Sequence, residues 1–103
     1  MSVILQFAIF PTDKGSSVSE YVSKAIEAIR NTGYPYQLTP MCTIIETETL
    51  EEAFVAVGKA NEAIAPYAER IYLTINVDIR NGKNGRMEQK VNSIQQKIGD
   101  VNL

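Results

Sequence analysis

The side chains of this 103-residue chain best suited to chemistry are mostly uncharged. Gln6 stands inside the apolar run "SVILQFAIF", and Tyr72, Thr74 and Asn76 alternate with aliphatic residues through "RIYLTINVDIR". Amides, hydroxyls and a phenol make directed hydrogen bonds, which suits recognition better than bond-breaking. The chain has no His, no Trp and a single cysteine, Cys42. That rules out a His-based triad, an imidazole base, a disulfide framework and a Cys/His zinc site. Cys42 has no His and no basic neighbour in sequence to activate it, so it reads as a small packing residue.

Arg80, Lys83 and Arg86 gather around "RNGKNGR". Their spacing matches neither a P-loop nor a dinucleotide fingerprint, and the expectation is a solvated basic loop. A net charge of −2 withholds the basic footprint that nucleic-acid binding requires. The apolar start is far short of the ~20 residues of a membrane helix and lacks the marks of a cleaved leader. With one unpaired thiol, the chain is expected in a reducing cytoplasm.

These residues need elements to hold them. One domain over residues 1–103 fits the length. Val3–Phe10 reads as a central strand, stopped by Pro11 and the "TDKGS" loop. Ser17 and Glu20 have capping-box spacing ahead of an apolar stripe through Val18, Tyr21, Val22, Ala25, Ile26 and Ile29, with Gly33 as its stop. Tyr36–Met41 and Thr43–Glu46 read as two short strands with a tight link around Cys42. Thr49 and Glu52 repeat the capping-box spacing before a second helix, which Pro66 must kink or end. Arg70–Arg80 is a strand, and Met87, Val91, Ile94 and Ile98 mark one face of a last helix ending at Gly99.

The order β-α-β-β-α-β-α, with right-handed crossovers, predicts an α+β, ferredoxin-like antiparallel sheet carrying an additional C-terminal helix. Pro40 places the second strand at an edge. The two-residue period then sends Ile71, Leu73, Ile75, Val77 and Ile79 toward the helices, together with Leu5, Phe7 and Ile9. Gln6, Ala8, Tyr72, Thr74 and Asn76 fall on the opposite face, with Thr39 or Gln37. That face is polar yet uncharged through its middle, which suits a second sheet packing on it or a ligand needing a few hydrogen bonds.

With the elements placed, the sequence resembles the small thiamine-binding ferredoxin-like family. The resemblance runs from Val3 to Ile98 and is carried by "SSVSEYV", "YPYQLTPMCTIIE" and "RMEQKVNSIQQK" in that order. It implies a homodimer or homotetramer that binds thiamine or its hydroxymethylpyrimidine portion near a subunit interface. No catalytic activity and no further cofactor are implied. Cys42 departs from the family pattern, which has a glycine there.

Thiamine asks for a carboxylate or amide edge at its aminopyrimidine, and for a carboxylate or aromatic face beside its cationic thiazolium. Glu46 answers either demand, or is a solvated acid at a strand end. Gln6 must pair with Thr74 or Asn76, or with a ligand. Thr74 and Asn76 themselves serve a ligand or an inter-sheet contact. Tyr36 and Tyr72 stack on a ring or simply pack, and Thr43 adds a hydroxyl at the start of the strand that carries Glu46. Ser17 caps the first helix, whose free amides could also meet a polar ligand group. Two other classes stay open: a purely structural or regulatory oligomer, and a small His-free enzyme using Asp78 or a tyrosine.

Overall fold

Val3, Leu5, Phe7 and Ile9 are buried while Gln6 and Phe10, at alternate positions, are exposed, the signature of a strand with one face on a core. This is β1 (Ser2–Pro11) in the computed structural model, which describes residues 1–103. It is followed by α1 (Ser19–Asn31), β2 (Tyr36–Leu38), β3 (Thr43–Thr47), α2 (Leu50–Ile64), a 3₁₀ turn (Ala65–Tyr67), β4 (Ile71–Arg80) and α3 (Arg86–Ile98). The strands form one sheet in the order β2-β3-β1-β4, with every neighbouring pair antiparallel. That is the ferredoxin-like architecture with an added C-terminal helix. β2 is at an edge as expected, but it ends at Leu38 and not at Met41, so Pro40 lies in the link to β3 and outside the ladder.

α1 and α2 pack together over β1 and β3. Small residues on α2, Ala53, Ala56 and Ala60, are fully buried and let the helices approach closely around Ile29, Ile45 and Phe7. α2 stops at Ile64, and Pro66 sits in the 3₁₀ turn that follows. Gly33 ends α1 at φ +81°, a left-handed conformation that glycine adopts without penalty.

Two expectations need correction. Ile71, Leu73, Ile75, Val77 and Ile79 do share the face of Leu5 and Phe7, since Leu5 pairs with Val77 and Phe7 with Ile75. Only Ile71 and Ile75 pack on the core, however; Leu73, Val77 and Ile79 are 39%, 38% and 49% exposed. The helix layer sits on β1 and β3, so it does not reach over the outer strand. Secondly, Ser17 does not cap α1. The helix begins at Ser19 with Val18 as its cap residue and no side-chain cap, which puts Ser17 and Glu20 one position out of register for a reciprocal pair. The Thr49–Glu52 box, by contrast, is fully formed.

Candidate functional site

Cross-strand register assembles the open face of the sheet row by row. Gln37, Ile44, Gln6 and Asn76 form one row across all four strands. Ala8 and Thr74 form the next, and Phe10 and Tyr72 the last. The rings of Phe10 and Tyr72 lie 5.5 Å apart at a 35° tilt, and Tyr72 is 54% exposed. Cys42 Sγ lies 3.8 Å from Gln6 Oε1. Gln6, Thr74 and Asn76 are thus brought together, beside aromatic surface and with no charge among them. Gln6 is solvent-exposed in the single chain, so the burial penalty that would force it to pair does not arise here.

The other end of the same face is closed by α3. Glu46 is buried, and both its carboxylate oxygens are occupied. Oε2 accepts from Ser2 Oγ and from the Arg86 N–H at 2.9 Å, and Oε1 accepts from the Met87 N–H at 3.1 Å. The first amides of a helix have no partner within it, and a carboxylate there also opposes the helix dipole favourably. Glu46 is therefore the cap of α3 and not a free acid at a strand end. Burial pushes its carboxyl up, but the hydrogen bonds from Ser2, Arg86 and Met87, with the Arg86 charge, outweigh this and hold it below the usual carboxylate range.

Arg86, expected in a solvated loop, is only 3% exposed. Its guanidinium donates to Ser2 Oγ and Ser2 C=O, and to both the carboxylate and the C=O of Asp78. Lys90 also reaches Asp78, at 2.9 Å. The Lys90 and Arg86 contacts together hold the Asp78 carboxyl below the usual carboxylate range. Sequence reasoning missed this network because its members are up to 84 residues apart. One signal was available: Gly85 precedes α3 and offers no capping side chain, so the amides of Arg86 and Met87 had to find an acceptor elsewhere.

The remaining candidates lie on the helix side of the sheet. Thr43 and Tyr36 pair in register with Phe7 and Ile45, which fixes them on the face opposite Gln6 and Asn76. Tyr36 and Leu38 form one wall of an open groove of about 440 Å³ whose other wall is Val22, Ile26 and Arg30 of α1. Val22, Ile26 and Leu38 also border a smaller cleft of about 160 Å³ that runs past Thr43 and Cys42 to Ala8 and Phe10. Ser17 is exposed just before α1 and lines neither. The sheet therefore divides the candidates into Gln6, Thr74 and Asn76 on one face, and Tyr36 and Thr43 on the other.

A family model described as thiamine-binding protein matches residues 5–95 of this chain. A UPF0045 protein of Mycobacterium bovis is 38% identical over 98 residues, covering 95% of this chain and 96% of that one. Among solved structures, a hypothetical protein of Methanocaldococcus jannaschii superimposes with a TM-score of 0.82 at 29% identity, over 92% of this chain and 97% of the other. A Thermotoga maritima protein provisionally assigned to thiamine biosynthesis or salvage gives a TM-score of 0.79 over 91% of this chain and 99% of its own. At 24% identity, that last likeness speaks for the fold alone.

Proposed function

This chain belongs to the thiamine-binding protein family, and from that premise we propose that it binds thiamine or its hydroxymethylpyrimidine portion. It acts as a carrier or sensor without catalysing a reaction. The observation that carries the reading is the uncharged stretch of open sheet face, where Gln6, Thr74 and Asn76 offer hydrogen bonds beside the exposed Phe10–Tyr72 pair. A cationic thiazolium is attracted to aromatic faces, and a neutral pyrimidine edge is read by amides and hydroxyls. Thr43 borders the cleft that reaches Ala8 and Phe10, whereas Tyr36 lines the separate groove against α1.

The working form is a homodimer or homotetramer with the ligand near a subunit interface. Charge depletion on the open face supports this, as does the outer edge of β4, ten residues long, without proline and uncharged from Ile71 to Val77. No helix is long and apolar enough to cross a membrane. A free Cys42 suits a reducing, cytoplasmic setting.

Isothermal titration of the full chain with thiamine, hydroxymethylpyrimidine and thiamine phosphate tests the proposal. Binding is expected for the first two, and Asn76→Ala and Gln6→Ala should each weaken it without changing the oligomer. Absence of heat and of any thermal shift at millimolar ligand would sink the proposal and leave an assembly role for the polar face.

A further inference from the structure

The sheet has two free edges, along β2 and β4, and that of β2 lies between two helices. Two bonds fix which way its backbone points. Glu46 N–H donates to Pro35 C=O at 3.0 Å, and Thr39 N–H donates to Cys42 C=O at 2.9 Å, so Pro35 and Thr39 face β3. Successive residues of an antiparallel strand turn their N–H and C=O groups to opposite sides. Gln37 therefore faces β3 as well, while Tyr36 and Leu38 present both groups to the outer edge. Their side chains, 37% and 60% exposed, stand on the helix side of the sheet, and that of Gln37 stands on the open face.

On the helix side, the edge borders the groove of about 440 Å³ against Val22 and Ile26 of α1. On the open side, a second groove of about 430 Å³ separates Tyr36 and Gln37 from Met87 and Val91 of α3. The two grooves meet at Tyr36, so β2 is the floor of a trench with apolar patches on both walls. Charge gathers at the Tyr36 end. Arg30 is in the last turn of α1, just before the chain turns into β2, and lines the first groove. α3 starts beside Glu46, whose strand partner is Pro35, so Glu88 lines the second groove at the same end. Neither Arg30 nor Glu88 belongs to an ion pair of the chain.

A strand edge is a template for one more strand: main-chain bonds give affinity, and pockets for alternate side chains give specificity. Pro35 and Pro40 bracket this edge, and the helices rise on either side of it. Another folded sheet is thereby kept out, and a single slender segment is admitted. We propose that the trench docks an extended peptide segment of a partner protein, running antiparallel to β2. Paired residues share a face, so the segment is read in order. Two apolar side chains, one residue apart, enter the α1 groove opposite Leu38 and Tyr36. The next residue faces Glu88 and is basic, and the one after it faces Arg30 and is acidic. Glu27, one turn earlier on the α1 wall, disfavours an acid at the apolar positions. This surface is separate from the polar row of Gln6 and Asn76 and does not rest on the thiamine reading.

A peptide of sequence TVTVKET, blocked at both ends, tests the proposal by nitrogen–proton correlation NMR of the full chain. The Tyr36 and Leu38 amides should shift and exchange more slowly with solvent. Leu38→Pro removes an outward donor that the β3 ladder does not use, so the circular dichroism spectrum should hold while affinity falls by about tenfold or more. Exchanging the lysine and glutamate of the peptide should also weaken binding, which simple apolar adhesion would not show. No shift at those amides at millimolar peptide, or equal binding of both peptides, overturns the proposal. So does an oligomer that Leu38→Pro dissociates, since the edge would then belong to a second copy. Should Leu38→Pro not fold, the amide shifts and the exchanged peptide decide.

Discussion

α2 and α3 meet the same physical need in opposite ways. Each helix starts with amides that have no partner inside it. At α2 the answer is local: Thr49 Oγ1 accepts from Glu52 N–H, and Glu52 Oε1 accepts from Thr49 N–H, both at 3.1 Å. At α3 the residue before the helix is Gly85, at φ +65°, and it has no side chain to offer. The acceptor comes instead from Glu46 in β3, some forty residues earlier, and Arg86 locks the arrangement to Ser2 and Asp78. A locally capped helix keeps its start whatever the sheet does. One capped by tertiary contact depends on the sheet being formed, and in return closes one end of that sheet.

Substitutions should make the difference measurable by urea denaturation. Arg86→Met is expected to do most damage. It takes the guanidinium bonds from Ser2 Oγ, Ser2 C=O and Asp78 C=O and the positive charge from beside Glu46, and each buried acceptor left unanswered costs about 1–3 kcal/mol. Equal stability in the variant would mean that the network is ornamental to the fold. Glu46→Gln keeps the shape but removes the charge and one acceptor, so a loss of about 1–3 kcal/mol is expected, together with faster hydrogen exchange at Arg86 and Met87.

Acid should act on the two helix starts unequally. The Glu46 carboxyl is held low in the folded chain, so its contribution is fully present above the ordinary Glu pKa of about 4.3 and is lost as pH falls through the lower folded value. Protection of the first α3 amides should therefore fall below about pH 4, and Glu46→Gln should flatten that dependence. Thr49→Ala removes a local cap and should cost about 1 kcal/mol, with exchange rising at the start of α2 and not at α3. Ser17→Ala is the smallest: because Ser17 caps nothing in α1, its effect should stay within about 0.5 kcal/mol.

Much of the architecture was readable because its causes are local. Alternation in Val3–Phe10 and Arg70–Arg80, the Thr49–Glu52 pair, Gly33 and Pro66 each act over a few residues, and each element formed where they point. The same spacing at Ser17 and Glu20 misled, since a capping box also requires the helix to begin at the right residue, and α1 begins at Ser19. The candidate site was legible only in part. Period-two counting put Gln6, Thr74 and Asn76 on one face correctly. It was not carried through to Tyr36 and Thr43, whose register sets them on the other face.

By itself the sequence determined the element order, the composition of each strand face and the absence of imidazole chemistry, because periodicity and residue type are properties of short stretches. Only the tertiary structure decided what Glu46 and Arg86 do, how far the helices cover β4, and that β2 lies between two walls. Those depend on distances between residues far apart in the chain. No local pattern records such distances, and they bear on where a partner can sit.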